Sequence, residues 1–369
     1  MREGWEYKTI EKCTSIEYGT RVVQKRDGGT IYPVYGGGGE TFRMDRYNRE
    51  DCLIIARFAM SPRCVRYVAG KFFLNDSGLS VKSKEELEQA YLNYHLLFFN
   101  DVIYHLGKGA AQRNLDVKAF RQLVIAIPPK PTQLSIVSEL DKLNKLIQIK
   151  KEQLKDYDAL AQSIFYEMFG DPVMNEKGWE VKKLMEICDV RDGTHDSPKY
   201  VESSNYMLIT SKNIVNRAIS FDDVNYITEE DYNNINKRSK VDDGDIIMPM
   251  IGTIGNPVIV YLDNLHKFSI KNVALIKFFH NTSILNRYLL ELMISDSFWK
   301  YLLSLNKGGN QKFVALGTIR RMDIILPPLP LQHSFAHKIE HIERQKAAVQ
   351  RTIKDLETLL AVRMQYWFE

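Results

Sequence analysis

The sequence predicts an α+β protein of two globular domains separated by two long antiparallel coiled-coil helices, an internal repeat with pseudo-two-fold symmetry. Three observations carry this expectation. Apolar residues recur at alternating steps of four and three between Thr132 and Phe169, the period of a heptad seam. The same segment returns at the C-terminus 199 positions later, without a gap. The β-rich stretches ahead of the two segments also repeat, opening with "GWEYKTI" at Gly4 and "GWEVKKL" at Gly178.

The first seam reads Ile136, Leu140, Leu143, Ile147, Leu154, Tyr157, Ala161, Ile164 and Met168, interrupted by Lys150. Pro131 precedes it and Gly170 and Pro172 follow, which are start and stop signals for a helix ~55 Å long. A helix of that length needs a partner for its apolar stripe. "IPPKPTQ" (Ile127 to Gln133) recurs as "LPPLPLQ" (Leu326 to Gln332), and the offset then gives Phe335, Ile339, Ile342, Lys346, Val349, Ile353, Leu356, Leu360, Arg363 and Trp367. The expected helix–helix interface joins Ile136, Leu140, Leu143, Ile147 and Leu154 to Phe335, Ile339, Ile342, Val349, Ile353 and Leu356.

The expected plan is a globular domain at 1–130, a helix at 131–170, a second domain at 171–329 and a helix at 330–369. An offset of 174 aligns Ile16 with Val190, Gly19-Thr20 with Gly193-Thr194, and Tyr32 with Tyr206. Leu53 matches Ile246 at 193, and Leu92-Asn93 matches Leu285-Asn286 at the same offset. The second copy therefore carries about 19 extra residues before Ile246 and about six after Asn286. Helix-like stretches run from Glu85 to Leu106 and from Ser283 to Leu305.

At 369 residues, 44% apolar and 26% charged, the chain is an ordinary soluble protein of two or three domains. No apolar run approaches the ~20 residues of a membrane span, and "MREGWEYKTI" lacks a signal-peptide core. Cys13, Cys52, Cys64 and Cys188 form no C-x-x-C pair, which fits reduced thiols in the cytoplasm. A net charge of +4 permits nucleic acid as a partner without requiring it.

Enzymatic motifs fail on inspection. "GGGG" at Gly36 to Gly39 lacks the Lys and Ser/Thr of a phosphate loop and reads as a flexible turn. "GTIG" at Gly252 to Gly255 reads as a hairpin or bulge, and "DDGD" at Asp242 to Asp245 as a turn. His333, His337 and His341 share a helix face without an acid or cysteine ligand beside them, so no metal site is expected. Asn256-Pro257-Val258-Ile259 lacks the second proline and the aromatic of an amino-methyltransferase motif. No catalytic residues and no cofactor of this chain are expected.

What remains suits nucleic acid. The first domain offers Lys25, Arg26, Arg43, Arg46, Arg57, Arg63 and Arg66 among Tyr32, Tyr35, Tyr47 and Tyr67. The second offers Thr194, His195, Ser197, Lys199 and Tyr200, then Ser211, Lys212 and Asn213, then Lys237 and Arg238 with Lys240. A matched patch precedes each long helix: Lys108, Gln112 and Arg113 in "KGAAQRN", and Asn310, Gln311 and Lys312 in "KGGNQKF". Cations neutralise phosphates, and Arg, Asn, Gln, Ser, Thr and His hydrogen-bond base edges.

These features together resemble the specificity subunit of a type I restriction–modification system, over essentially the whole chain. The "GW" openings at Trp5 and Trp179 and the "PP.P..Q" helix entries carry the resemblance, with "DGTHDSPKY…LITSKNI…GDIIMPMIGTIGN" in the second domain and "YPVYGGGGE" and "GKFFLND" in the first. Ala56 and Ala59 stand beside Arg57 where glycines are expected. The resemblance implies two target-recognition domains, each reading half of an asymmetric bipartite site in double-stranded DNA. It implies helices that set the gap and dock two methyltransferase subunits, with restriction/translocase subunits completing the complex. S-adenosylmethionine, ATP and Mg would then belong to those partners. A coiled-coil interaction scaffold without a DNA role, and a self-contained DNA-modifying enzyme, are the alternatives.

Overall fold

The computed structural model describes residues 2–109, 112–252, 254–263, 265–305 and 313–369. The chain divides into two compact units, Met1–Glu152 with Gln350–Glu369, and Gln153–Val349. These units cut across the expected boundaries, because both long helices are built into the heads. The helices span Lys130–Phe169 and Leu329–Phe368, 40 residues each, or ~60 Å.

In the first unit, among the described residues, a six-stranded sheet runs in the order Thr14–Tyr18, Gly78–Ser83, Arg49–Ala56, Val65–Leu74, Tyr32–Tyr35, Glu40–Met44. The apolar run Leu53, Ile54, Ile55 and Ala56 is buried on both faces, as expected of an interior strand with β-branched residues. Two helices, Gln89–Phe98 and Asn100–His105, replace the single expected stretch from Glu85 to Leu106. Ile136 and Leu140 join their core, so these seam positions pack on the head as well as along the helix pair.

The second unit repeats the frame with strands Cys188–Asp192, Val273–Phe278, Ile246–Pro249 and Val258–Ile259. Registers confirm the expected correspondences: Ile16 pairs with Val81 as Val190 pairs with Ile276, and Ile54 with Ser80 as Ile247 with Leu275. Tyr32–Tyr35 and Tyr206–Ile209 each lie parallel to one neighbour, with Tyr35 opposite Leu74 and Ile209 opposite Ile270, and antiparallel to the other. The additional residues of the second copy fold as a 3-10 turn, a hairpin with Asn216 and Arg217 at positive φ, and the helix Glu229–Ser239.

One expected match is displaced. Tyr91 Oη donates to Ala126 O at 2.9 Å, and Tyr288 Oη donates to Ile325 O at 3.0 Å. The helices therefore align at 197, not 193, and Leu92 corresponds to Leu289 rather than Leu285. Gln133 and Gln332 bear this out from the neighbouring turn. Gln133 Oε1 accepts from Glu88 N–H at 2.8 Å while its Nε2 donates to Glu86 O and Pro128 O. Gln332 Oε1 accepts from Leu285 N–H at 2.9 Å while its Nε2 donates to Ser283 O and Pro327 O.

Within each unit the two long helices run antiparallel. In the first, Glu139 accepts from Arg363 and from Trp367 Nε1, and Lys151 pairs with Glu357 at 2.8 Å. Ile147 and Ile353 are buried there, and Leu143, Leu154 and Leu356 are half-buried in their respective units. In the second unit, Phe335 meets Phe165 and Phe169, with Ile339 and Ile342 in the same core and Val349 buried beyond. Lys346 stands where the first helix has Ile147. It pairs with Asp158 at 2.8 Å and Glu343 at 3.1 Å, and Arg217 lies 3.6 Å from the same Asp158 oxygen. Glu291 faces this group from the helix Asn286–Ile294, and burial pushes its carboxyl up.

Candidate nucleic-acid interface

Three separate stretches of the first unit meet at one end of its sheet. The loop joining Arg49–Ala56 to Val65–Leu74 carries Arg57, Phe58, Ala59 and Arg63. Its backbone is pinned to the segment before the first long helix: Leu115 N–H donates to Arg57 O, Ala59 N–H to Asn114 Oδ1, and Met60 N–H to Arg113 O. Two expected patches, 57–66 and 108–113, are thus a single surface. The glycine turn joins it, because Arg66 donates from one nitrogen to Gly37 O and Arg63 O, both at 2.9 Å.

That turn is not the flexible one the sequence suggested. Gly36 and Gly37 are buried, and a Cβ on Gly37 would lie 2.1 Å from Phe58 O. Position 37 takes glycine because the chain there passes too close to the Phe58 carbonyl for any side chain.

Cations and aromatics alternate over this surface. Arg57 lies over Tyr18 at 4.9 Å and over Phe58 at 4.5 Å, and Arg113 lies over Tyr104 at 4.7 Å. Further along, Lys71 caps the Tyr47 ring at 4.7 Å, Tyr47 packs on Tyr32, and Arg46 lies over Phe73. Lys25 and Arg26 sit exposed on the short helix Gln24–Asp27, Arg26 paired with Asp27. Arg43 donates to Ile31 O, Lys108 pairs with Asp116 at 2.6 Å, and Gln112 is exposed.

In the second unit, Thr194, Ser197 and Arg238 line one cleft of about 330 Å³ together with Asp196, Pro198, Asp231 and Asn234. Asp192, nearly buried, holds it together: His195 Nε2 lies 2.7 Å from its Oδ2, and Arg238 donates to its Oδ1. His195 Nδ1 lies 2.9 Å from Asn272 Oδ1, and Lys271 Nζ donates to Ser197 Oγ at 2.8 Å. The Lys199 N–H donates to Asp231, Tyr200 is exposed beside it, and Lys237 contacts Asn234. Lys271 and Asn272 were missed by the sequence reading, since strand pairing alone brings positions more than 70 residues apart onto the loop. Asp192, three residues before His195, was missed because its burial beneath the loop is not visible in the sequence.

Ser211 and Lys212 lie on the 3-10 turn, with Lys212 exposed 3.9 Å from Asp223. Asn213 is a correction. It is buried, its Oδ1 accepts from Thr210 N–H and Oγ1–H, and its Nδ2 donates to Asp223 O. Its amide braces the turn from inside and is not presented to a base. Asn310, Gln311 and Lys312 lie outside the described residues.

The remaining motifs are structural. Lys277 bridges Asp242 at 2.9 Å and Asp245 at 2.5 Å, so "DDGD" is a turn closed by a lysine. The Lys277 ammonium holds the Asp242 carboxyl below its ordinary range, while burial raises that of Asp245. Burial pushes the Cys64 and Cys188 thiols up to about 11 and about 12, the opposite of a reactive thiolate. His333, His337 and His341 are exposed. Among the described residues no helix is long and apolar enough to cross a membrane.

Comparison with known proteins places this architecture. The family model described as type I restriction modification DNA specificity domain matches residues 3–156 and 176–358. The specificity subunit of the type I restriction enzyme MjaVIII of Methanocaldococcus jannaschii is 24% identical over 323 residues, 79% of this chain and 75% of its own length. In structure, the chain is similar to a type I restriction–modification S subunit from M. genitalium, with a TM-score of 0.56 at 14% identity over 99% of this chain and 96% of that one. It is also similar to a chain from a structure on complex assembly and conformational transition of the type I system, with a TM-score of 0.58 at 15% identity over 99% and 97%. Matched over both units by the family model, the chain belongs to the type I restriction–modification DNA specificity family.

Proposed function

We propose that this chain is the non-catalytic, DNA-reading subunit of a type I restriction–modification complex, each unit reading one half of a bipartite site in double-stranded DNA. One observation carries the reading. The two units share a frame, register for register, yet carry different side chains at the same loops. Arg57 and Phe58 in one correspond to Met250 and Ile251 in the other, and Lys25-Arg26 to Lys199-Tyr200. A conserved scaffold with divergent cation-bearing loops suits two readers of different sequences, and so an asymmetric site.

The long helices, continuous through both units, would set the gap between half-sites and dock two methyltransferase subunits. Exposed apolar side chains on them, such as Leu146, Ile149 and Leu160, fit that second task. Restriction/translocase subunits would complete the assembly in the cytoplasm. S-adenosylmethionine, ATP and Mg would serve the partners.

The test is methylation mapping in a host lacking adenine methylation, with the chain expressed beside a cognate methyltransferase subunit. The expected result is one interrupted motif, methylated on both strands with a fixed gap. An assembled complex that methylates nothing would return the chain to the scaffold reading.

A further inference from the structure

We propose that Phe58 is a base-contacting residue of the first unit, and that its partner is the 5-methyl group of a thymine in the major groove. The proposal rests on the DNA-reading function and names a specificity contact within it.

The backbone around Phe58 is fixed on three sides. The neighbouring Ala59 has φ +49°, a left-handed conformation that L-residues rarely adopt. Its counterpart in the second unit is Gly252, with φ +79°, so both copies build the same tight loop. Hydrogen bonds from Leu115, Ala59 and Met60 tie the tip to the segment 113–115. The Gly37 turn packs against the Phe58 carbonyl and is held there by Arg66.

The ring itself is left outward. Ile251, the counterpart of Phe58, is packed against the core of the second unit. Phe58 is 37% exposed and joins no core cluster of the first unit. A lone exposed aromatic on a surface is ordinary. This one sits on a rigid tip with Arg57, Arg63, Arg66 and Arg113, where an anionic polymer would be drawn.

Ring geometry narrows the ligand. The Arg57 guanidinium covers one face at 4.5 Å and is itself backed by Tyr18 at 4.9 Å. A ring stacked on one face cannot be sandwiched between two bases, which argues against a wedge that opens a base step. Its rim and remaining face can meet an apolar feature of a base edge. In the major groove that feature is the thymine methyl, and phenylalanine is among the side chains suited to it.

The experiment uses the full chain assembled with a cognate methyltransferase subunit and a duplex carrying its mapped motif. Each thymine is replaced in turn by deoxyuridine, which removes only the methyl group. One position should weaken binding about four-fold, the worth of one buried methyl. Phe58→Ala should weaken the unmodified duplex to a similar extent and be indifferent to that replacement. Phe58→Leu, which keeps an apolar contact, should retain part of the sensitivity. A Phe58→Ala complex with undiminished deoxyuridine sensitivity would overturn the assignment, as would a motif in which no thymine methyl matters. Both outcomes leave DNA reading intact. A complex with no motif at all would overturn the function and this contact with it.

Discussion

Gln133 and Gln332 make the same three hydrogen bonds in the two copies of the repeat, each from a fully buried side chain. Each binds the first turn of a long helix to the turn that opens a head helix. This is why "PP.P..Q" recurs: the prolines start the helix, and the glutamine fixes where it leaves the head.

Replacing either glutamine by alanine should therefore act within its own unit. Gln133→Ala leaves the Pro128 carbonyl buried and the Glu88 N–H partly buried without partners, at ~1–3 kcal/mol each before relaxation, and removes the bond to Glu86 O. A loss of about 2–4 kcal/mol is expected, with faster hydrogen exchange in the turn 86–88. Gln332→Ala should do the same at 283–285. Wild-type melting and exchange in both variants would sink the account.

Ala59 invites an opposite change. A non-glycine residue at φ +49° is strained by ~1–2 kcal/mol, and glycine gives back part of the relief through unfolded-state entropy. Ala59→Gly should be neutral or stabilising by up to ~1 kcal/mol, read as a small rise in Tm. Ala59→Val should lower Tm clearly. The pair tests the backbone, because the Ala59 side chain is exposed.

How much of this was legible depended on whether a signal was local in sequence. The helix entries, the strand match of Leu53 with Ile246 and the match of Tyr32 with Tyr206 were all correctly readable, since each rests on short runs of identical residue types. The Leu-Asn match at 92 and 285 misled because apolar residues recur in any amphipathic helix. Only the hydrogen bonds of Tyr91 and Tyr288 fix that register. The glycine turn looked flexible because composition does not reveal that Phe58 O lies against Gly37. Asn213 looked like a reader because a base-contacting and a turn-bracing asparagine have the same letter. At the cleft of the second unit, Lys271 and Asn272 were invisible until strand pairing placed them.

Glu291 gives a pH dependence with a definite sign. Burial raises its carboxyl above the ordinary 4.5, and the Glu343 carboxylate adds to the rise against the cations Arg217, Arg287 and Lys346. A group raised in the fold contributes most below its unfolded value and loses that contribution as pH rises through its folded value. Stability should therefore fall above about pH 4.5 from this group. Glu291→Gln, similar in shape and always neutral, should raise Tm at pH 8 and change it little near pH 4. Equal shifts at both values would mean that burial does not raise the carboxyl.

The spacer role proposed for the helices makes the most direct demand on them. Antiparallel pairing, with Lys151 against Glu357 and Glu139 against Arg363, requires that a change in one helix be matched in the other. Four residues inserted after Glu152 and four after Val349 lengthen both by ~6 Å, close to one turn, and keep Lys151 with Glu357, Glu139 with Arg363 and Asp158 with Lys346. At ~3.4 Å per base pair, the mapped motif should keep both half-site sequences while its gap grows by about two base pairs. An insertion in one helix alone should break the seam and lower stability without a defined new gap. If the paired insertion left the gap unchanged in a folded, active complex, the distance between half-sites would have to be set elsewhere, and the helices would be docking surface only.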